Sequence, residues 1–396
     1  MSSAIDSDIA IIGAGIGGLA TAAALAKAGA HVTVYEQAPE LGEVGAGVAL
    51  ARSSVRFLTE LGRLDAAEAV AVKVPRGMVT HAADGRELRA TGYTGGLSFH
   101  RRDLLELLAE TVAGVEVRTN AKAVAVTQDA DSATIEFADG STVTADAVIG
   151  ADGIHSKARP AVTEPTPPTF SGMIAYRGLV PRERVPWFPI DAASLYVGPG
   201  KHFLIFPVRR AELLNFVGFV KADETMQESW SLPGDPAVLA AEFDGWGHDV
   251  VEFIKAVDAT WRWGLYDREP LPRWVNGRVA LVGDAAHAML PHASQGANNG
   301  IDDAVVLADV LRGAPDVPTA LAAYERGRHA RGSYIQLYSR RLGLEYDLRH
   351  DELRDRAAHL APRDEVDAWI RGHDAHASAA AALQGVEVPV PEGAPV

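Results

Sequence analysis

A glycine-rich segment near the N-terminus has the spacing of a dinucleotide-binding turn. Gly13, Gly15 and Gly18 follow the pattern GxGxxG, and Glu36 lies eighteen positions after the last glycine. The first glycine permits a tight turn, the second lets a pyrophosphate approach the backbone, and the third lets a helix pack closely on a strand. Glu36 can accept hydrogen bonds from ribose hydroxyls and would repel a 2′-phosphate. The pattern therefore predicts a site for NAD or FAD and disfavours NADP at this turn.

The residues on either side of these glycines must form the elements that hold the turn. Residues 8–12 and 31–35 are short runs rich in β-branched residues, whereas residues 19–28 are rich in Ala and Leu and end at a glycine. These patterns predict a β-α-β unit, in which the N-terminus of the helix faces the phosphates.

Farther along the chain the pattern changes twice. Residues 174–220 form short apolar runs separated by Pro and Gly, which is typical of an antiparallel sheet. Residues 279–282 then return to a buried strand of the parallel type, followed by a helix over 302–312 and a long helix over about 319–344. The sequence thus predicts two lobes, with the chain leaving the first lobe and later returning to it.

The composition limits the classes of function. The chain has 396 residues, of which 47% are hydrophobic and 22% charged, and its formal net charge is −15. This composition is that of a globular protein, and the negative charge argues against partners such as nucleic acid or an anionic membrane. Cysteine is absent, which excludes disulfides and thiolate chemistry. We expect a cytoplasmic protein without a membrane span, because Asp6 and Asp8 precede the apolar run at 9–30 and Lys27 interrupts it.

Several segments far apart in the chain resemble the motifs of one flavoprotein family. They are HRRDL at 100–104, GADGIHS at 150–156 with Arg159, GDAAH at 283–287, Pro291, QGAN at 295–298, and YER at 324–326. In this order and spacing they resemble the FAD-dependent aromatic hydroxylases, which are single-component flavoprotein monooxygenases of the salicylate, 3-hydroxybenzoate and 6-hydroxynicotinate hydroxylase type. The resemblance covers residues 8 to about 343.

The resemblance implies that the nucleotide is FAD, and it assigns further residues to this cofactor. Asp284 would bind the ribitol chain, and the backbone N–H groups of residues 296–298 would face the flavin pyrimidine oxygens. No second GxGxxG occurs in the sequence, so NADH or NADPH is expected to bind only transiently, as a co-substrate. The FAD contacts implied beyond the first turn are Arg101, Asp152, Asp284, Gly296, Ala297 and Asn298.

The same resemblance implies the fold class and the domain boundaries. The expected fold is α/β, with a Rossmann-like FAD-binding domain, an inserted antiparallel β-sheet substrate domain and C-terminal helices. The discontinuous FAD-binding domain would comprise residues 1–75, 98–165 and 270–345. The substrate domain would comprise 76–97 and 166–269, and residues 346–396 would form a C-terminal helical segment and tail.

The activity implied is that of a monooxygenase that consumes NAD(P)H and molecular oxygen and hydroxylates a small aromatic acid or phenol through a flavin hydroperoxide. His202 is predicted as a catalytic base, because it lies on the strand where relatives carry an active-site histidine. Gln295 is predicted as a catalytic hydrogen-bonding group. The predicted substrate-binding residues are Phe206, Pro291, Arg177 and Tyr196, of which the last two are candidate anchors for a carboxylate. Phe206 stands where relatives often have Tyr, so the identity of the aromatic substrate is left open.

Two other functions stay open at this point. The protein could be a flavin-dependent oxygenase of a larger natural product, or an FAD-binding protein without catalytic activity. No metal site is expected, because the histidine pairs His287/His292 and His373/His376 lack further ligands at a suitable spacing. A monomer or a homodimer is expected.

Overall fold

The structure is a computed structural model that describes residues 4–42, 46–92, 95–164, 166–222, 232–347, 362–393 and 395. The strands are, in chain order, β1 (Asp8–Ile12), β2 (His31–Tyr35), β3 (Gly47–Leu50), β4 (Val72–Lys73), β5 (Arg76–His81), β6 (Glu87–Gly92), β7 (Leu97–His100), β8 (Glu116–Arg118), β9 (Ala123–Gln128), β10 (Ala133–Phe137), β11 (Thr142–Ala145), β12 (Ala147–Gly150), β13 (Thr169–Pro181), β14 (Ala192–Gly198), β15 (Lys201–Val208), β16 (Leu213–Lys221), β17 (Leu232–Gly234), β18 (Thr260–Asp267), β19 (Val275–Asn276) and β20 (Val279–Leu281). The helices are α1 (Ile16–Ala28), α2 (Arg52–Glu60), α3 (Leu64–Val70), α4 (Arg101–Thr111), α5 (Pro236–Glu242), α6 (His248–Lys255), α7 (Asp284–His287), α8 (Gly296–Gly313), α9 (Val317–Tyr346), α10 (Arg363–Arg371) and α11 (Ala375–Leu383).

The predicted β-α-β unit lies in a six-stranded sheet with the order β19-β20-β12-β1-β2-β8. The central strand β1 pairs in parallel with β2 and β12, and β12 pairs in parallel with β20. The strands β12 and β20 are fully buried, as is typical of parallel strands covered on both faces. Because parallel neighbours end at the same edge, the segments that follow Ile12, Gly150 and Leu281 lie side by side.

The antiparallel sheet predicted for residues 174–220 is larger than the sequence pattern indicates. It has eight strands in the order β17-β18-β13-β16-β15-β14-β5-β6, and its neighbours are antiparallel except for the parallel pair β14 and β5. Residues 76–92, which form β5 and β6, thus join strands from residues 169–267 in one sheet. Two three-stranded sheets, β11-β10-β9 and β3-β7-β4, complete the β structure of the described residues.

The two faces of the eight-stranded sheet have different neighbours. On one face, the rings of Phe203 and Phe216 pack against Phe253 of α6, with centroids 6.2 and 5.9 Å away, and form an aromatic core. Side chains alternate between the faces of a strand, so His202 and Phe206 point to the opposite face. That second face meets β3 and the segment between α7 and α8, where the candidate site lies.

The long helix α9 contacts both large sheets. It begins at Val317, where Asp316 caps it by accepting a hydrogen bond from the Thr319 N–H, and it ends at Tyr346, two residues beyond the predicted 344. The Tyr324 hydroxyl donates to the Leu281 carbonyl of β20 at 2.8 Å. The Gln336 side chain donates to the Arg268 carbonyl, just after β18, at 2.6 Å.

The predicted α/β fold, with an added antiparallel sheet and C-terminal helices, is confirmed. Within the ranges that the structure describes, none of the helices is sufficiently long and apolar to cross a membrane.

Candidate active site

Three turns meet at the carboxyl ends of β1, β12 and β20. Gly13 follows β1 with φ +100°, and a Cβ built on it would lie 2.5 Å from the carbonyl oxygen of Ala151, which follows β12. A Cβ on Gly17 would lie 3.9 Å from the Cα of Gly283, which follows β20. The three segments that resemble flavoprotein motifs are therefore in contact, although they are far apart in the chain.

Glu36 and Gly15 line one cavity beside the first turn. The Glu36 carboxylate accepts hydrogen bonds from the backbone N–H groups of Ala14 and Ala38 at 2.7 and 2.8 Å. A carboxylate has about four acceptor positions, so it keeps capacity for ribose hydroxyls. The cavity has a volume of about 140 Å³, and a Cβ on Gly15 would have no neighbour within 4 Å. Open backbone next to an acidic side chain fits the pyrophosphate and ribose of a dinucleotide.

Asp152 lies in the turn after β12 and has one unsatisfied oxygen. Its Oδ2 accepts the backbone N–H groups of Lys157 and Ala158 at 2.6 and 3.2 Å. Its Oδ1 is buried, and no described residue forms a hydrogen bond with it. A buried acceptor of this kind fits a donor group on a bound ligand.

Arg159 joins the second turn to the third. Its guanidinium donates to the carbonyl oxygens of Ile154 at 2.9 Å and Ala285 at 3.0 Å, and the side chain is 2% exposed. Burial lowers the pKa of Arg159 to about 10, with a smaller contribution from the charge of Arg268. These bonds fix α7 against the GADGIHS segment.

Asp284 and the first turn of α8 face each other. Asp284 is exposed and opens α7, and a Cβ on Gly296 would lie 3.9 Å from its Oδ1. The first N–H of α8 to pair within the helix is that of Asn299, which donates to the Gln295 carbonyl at 2.8 Å. The N–H groups of residues 296–298 have no acceptor among the described residues, as at any helix N-terminus. A ribitol hydroxyl and the carbonyl oxygens of a flavin ring fit these groups.

The side chain of Asn298 has a structural task that the sequence did not indicate. Its Oδ1 accepts from the Ala51 N–H at 2.8 Å and from the Ser54 hydroxyl at 2.7 Å, and its Nδ2 donates to the carbonyls of Ala49 and Ser294. The amide thereby ties α8 to β3 and to the start of α2. Only the backbone of Asn298 remains for a flavin.

Arg101 opens α4, and its N–H donates to the Ala46 carbonyl at 2.8 Å, which ties α4 to β3. The side chain of Arg101 is half-buried. Its neighbour Arg102 lines the cavity that contains Glu36.

Three of the predicted active-site residues share one face of the eight-stranded sheet. Cross-strand neighbours lie on the same face of an antiparallel sheet, and the pairs His202/Phe219, Phe206/Asn215 and Arg177/Val217 belong to this face. Arg177 is 3% exposed, and its guanidinium lies 4.8 Å from the centroid of a Trp263 ring. The Phe206 ring packs so closely on Gly47 of β3 that a Cβ there would lie 2.5 Å from it.

Tyr196 does not join these residues. It pairs across the sheet with Phe203, so it belongs to the aromatic core on the opposite face, and its hydroxyl donates to Asp249 of α6 at 3.3 Å. Burial, and then the charge of Asp249, raises the pKa of this phenol. The alternation of β14 therefore corrects the expectation that Tyr196 anchors a substrate.

His202 belongs to a buried chain of polar groups. Its Nδ1 lies 2.8 Å from Oδ1 of Asp347, at the end of α9, and its Nε2 lies 3.2 Å from Nδ1 of His292. The ring stacks on Phe219 with centroids 4.2 Å apart. Sequence reasoning missed both partners: His292 was considered only as a metal ligand, and no pattern links Asp347 to a histidine 145 positions earlier.

The segment between α7 and α8 carries Pro291 and Gln295 and is held from α9. The Ser339 hydroxyl donates to the Leu290 carbonyl at 2.5 Å and accepts the Ala293 N–H at 3.0 Å. Pro291 is exposed and opens a 3-10 turn, whereas Gln295 is half-buried at the N-cap of α8. Both residues lie between the hydrogen-bonded group of Asp347, His202 and His292 and the first turn of α8.

Comparisons with known proteins agree with this geometry. Residues 6–336 match the family model described as "FAD binding domain". The chain is 39% identical to 3-amino-4-hydroxybenzoate 2-monooxygenase PtnB3 of Streptomyces platensis, over 93% of this chain and 96% of that protein. It is 35% identical to a salicylate hydroxylase of Pseudomonas putida, over 86% of each. A solved salicylate hydroxylase in a substrate complex superposes with a TM-score of 0.82 at 31% identity, over 95% of this chain and 98% of the other.

These matches define the class of the protein: the chain belongs to the FAD-binding-domain family of flavoproteins. Within that family it is an FAD-dependent monooxygenase of the aromatic hydroxylase type. The predicted family, the Rossmann-like FAD-binding fold and the cofactor FAD are therefore confirmed.

Proposed function

We propose that this enzyme uses NADH or NADPH and molecular oxygen to hydroxylate a small aromatic acid or phenol. The observation that carries the proposal is the sheet face on which the buried imidazole of His202 and the buried cation of Arg177 occur together, next to the turns suited to FAD. A phenolic hydroxyl and a carboxylate are the groups that such a pair would recognise. The relatives named above act on 3-amino-4-hydroxybenzoate and salicylate, which carry both groups.

When it is bound and reduced, FAD activates oxygen for transfer to the ring. The protein supplies the binding groups around it. Backbone groups of the first turn hold the pyrophosphate, Glu36 and Asp284 accept hydroxyls, and the N-terminus of α8 favours negative charge near the flavin pyrimidine. The full set proposed is Gly13, Gly15, Gly18, Glu36, Arg101, Asp152, Asp284, Gly296, Ala297 and Asn298.

His202 acts as the base that removes the proton of the substrate hydroxyl. A phenolate ring is richer in electrons than a phenol, so it accepts an electrophilic oxygen more readily. An ordinary phenol has a pKa near 10 and an ordinary imidazole near 6.5. Transfer of the proton from the phenol to the imidazole therefore costs about 5 kcal/mol in free energy. The surroundings of His202 must therefore favour its charged form.

Arg177 orients the ring through the substrate carboxylate, while Phe206 and Pro291 contact its faces and Gln295 hydrogen-bonds to a polar substituent. A planar guanidinium binds a carboxylate in a bidentate manner, which fixes the direction of the ring as well as its position. Tyr196 is left out of this set, because it lies on the opposite face of the sheet.

The apolar part of the same face keeps water away from the reacting atoms. Met173, Ala175 and Phe219 are buried there and pack with Leu290 from the segment after α7. Exclusion of water matters, because an activated oxygen species that meets water is lost as hydrogen peroxide.

The domain boundaries and the assembly belong to the same proposal. We assign residues 1–75, 98–165 and 270–345 to the FAD-binding domain, 76–97 and 166–269 to the substrate domain, and 346–396 to the C-terminal segment. The enzyme works in the cytoplasm as a monomer or homodimer, with the nicotinamide co-substrate bound transiently.

The proposal is tested with the purified, FAD-loaded protein and a panel of aromatic acids: salicylate, 3-hydroxybenzoate, aminohydroxybenzoates and hydroxynicotinates. Benzoate, which lacks the hydroxyl, and phenol, which lacks the carboxylate, are matched controls. We expect at least one ring with both groups to accelerate NAD(P)H oxidation roughly tenfold or more, because substrate binding completes the site. Hydroxylated product should form in proportion to the NAD(P)H consumed.

Two outcomes would contradict this function. A yellow protein that leaves NAD(P)H consumption unchanged with every ring would be an FAD-binding protein without turnover. Acceleration only by larger polycyclic compounds would instead identify an oxygenase of a natural product.

A further inference from the structure

We propose that Asp347 is a positioning residue that makes His202 an effective base, by fixing its tautomer and stabilising its protonated form. This inference rests on the proposed function, because it names the group that supplies the missing basicity of His202. Asp347 acts through the imidazole and does not itself contact the ring that is hydroxylated.

The position of Asp347 requires such a partner. It is the C-cap of α9, its side chain is 3% exposed, and its backbone carbonyl accepts the Gly200 N–H at 3.0 Å. The C-terminal end of a helix carries partial negative charge, so a buried carboxylate there is doubly unfavourable unless a cation balances it. His202, with Nδ1 at 2.8 Å from Oδ1, is an ionisable base in reach of this carboxylate.

The hydrogen bonds determine where the protons are. An ionised carboxylate can only accept, so Nδ1 of His202 must carry a proton and donate it to Asp347. In the neutral ring this leaves the lone pair on Nε2. Nδ1 of His292, 3.2 Å away, must then carry a proton and donate to that lone pair. Nε2 of His202 is thus the basic atom.

The reaction step is a simple proton transfer. The substrate hydroxyl first displaces the N–H of His292 from the lone pair on Nε2 of His202. The O–H bond of the substrate then breaks, its electron pair stays on the oxygen, the proton forms an N–H bond at this Nε2, and the freed N–H of His292 can donate to the substrate oxygen. The positive charge comes to rest between Asp347 and the negative end of α9. Burial, followed by the charge on His202, holds the pKa of His292 well below its ordinary value, so the charge does not pass to the second ring.

Few titratable groups face His202 among the described residues. They are Asp347 and Tyr346 from α9, the latter with its ring centroid 5.6 Å away, and His292 from the segment after α7. Phe219 covers the face of the ring without charge. Asp347 is the carboxylic acid of this set.

The test compares Asp347→Asn with wild type and with Glu345→Gln. Glu345 lies two positions earlier on α9 and pairs with Arg341 and Arg363, so its removal perturbs the same helix end without touching the imidazole. We expect Asp347→Asn to retain FAD and to lower the hydroxylation kcat roughly 10- to 100-fold, with KM changed less than about threefold. The rising limb of its pH–rate profile should move to lower pH by about one unit or more, because the imidazolium loses its counter-charge. Glu345→Gln should leave the limb in place, and His202→Ala should remove it.

A second measurement does not depend on activity. ¹⁵N chemical shifts of the His202 ring, assigned by comparison with His202→Ala, report which nitrogen carries the proton. We expect the Nδ1-protonated tautomer in the resting enzyme. An Nε2-protonated ring, or a pH limb unchanged in Asp347→Asn, would overturn the role of Asp347. If no aromatic ring is hydroxylated, the proposed function fails, and the ¹⁵N result still decides the tautomer.

Discussion

Two glycines of the first turn illustrate how single residues divide the work of binding and folding. Gly18 faces the chain itself, since a Cβ there would lie 1.9 Å from the carbonyl oxygen of Gly13. Gly15 faces the cavity, and its backbone, at φ −71° and ψ −175°, is a conformation that alanine also adopts. Gly18 is therefore needed for packing, and Gly15 for the proposed ligand.

We therefore predict opposite effects of two alanine substitutions. Gly15→Ala should fold with an unchanged melting temperature in the absence of FAD but bind FAD about tenfold or more weakly, because the methyl group occupies space for the pyrophosphate. Gly18→Ala should lower the melting temperature of the apoprotein itself. Calorimetry of the apoproteins and fluorescence titration with FAD measure the two effects. Wild-type affinity in Gly15→Ala would contradict the assignment of the pyrophosphate to this turn.

Residues with a motif could be placed from sequence, whereas residues defined only by contacts could not. The turns that carry the glycines, Asp152 and Asp284 lie side by side, because parallel strands bring their following turns together. Tyr196 was predicted to anchor a carboxylate, but it lies on the other face of the sheet, because the sequence did not define the register of its strand. Asp347 had no signal, because its contact with His202 depends on the length and direction of a helix that begins thirty residues earlier.

At the scale of elements, α8 begins earlier than its apolar pattern indicates. The predicted start was residue 302, and the helix begins at Gly296. The additional turn contains Gly and Asn, which have low helix propensity, and it is held by Asn298 and Asn299 through bonds to Ser294 and Gln295. Helix propensity fails here because these side-chain bonds outweigh it.

The segment before α8 depends on α9 for its shape, which leads to a prediction for two serines of that helix. Ser339→Ala removes both hydrogen bonds to the segment and should lower the free energy of unfolding by about 1–3 kcal/mol. It should also increase the amount of hydrogen peroxide formed per NAD(P)H oxidised, because the segment that carries Pro291 and His292 is held less firmly. Unfolding in urea and a peroxide assay measure these effects.

Ser333 of the same helix is the matched control. Its hydroxyl is buried and no described residue bonds to it. Ser333→Ala should therefore leave the free energy of unfolding unchanged or increase it. The amount of hydrogen peroxide formed per NAD(P)H should be that of the wild type. Equal effects of both substitutions would mean that the segment is held by other contacts.

At the scale of the whole molecule, one buried ionic network joins the six-stranded sheet to the long helices. Asp303 of α8 accepts from His287 Nε2 and Arg328 Nε, each at 2.7 Å, and from the Gly283 N–H at 2.9 Å, and all three side chains are fully buried. Burial alone would raise the pKa of Asp303, but His287 and Arg328 outweigh it and hold the value at about 2.

This network predicts how the fold responds to acid. Because the pKa of Asp303 is lower in the folded protein than its ordinary value of 3.8, its contribution to stability is present above about pH 4 and is lost as the pH falls toward 2. The contribution corresponds to about 2 kcal/mol. Asp303→Asn removes the ion-pair partner of the buried Arg328 and should lower the free energy of unfolding at neutral pH by about 3–5 kcal/mol.

The measurement is urea unfolding of the wild type and the variant at several pH values between 2 and 7. Below pH 4 the free energy of unfolding should decrease less in the variant than in the wild type. Glu116→Gln, which removes an exposed ion pair with Arg118, is the control and should follow the wild type. Parallel curves for Asp303→Asn and wild type would contradict this role of the network.

The extent of α9 restricts how such enzymes can be recombined. A helix of 30 residues is about 45 Å long. Tyr324 bonds to β20 of the six-stranded sheet, whereas Gln336 bonds to Arg268, just after β18 of the eight-stranded sheet. Adding or deleting one residue between them would rotate the far end by about 100°, turning Gln336 away from Arg268. A chimaera that takes its eight-stranded sheet from another parent must therefore inherit the second half of this helix from that parent, in the same helical phase.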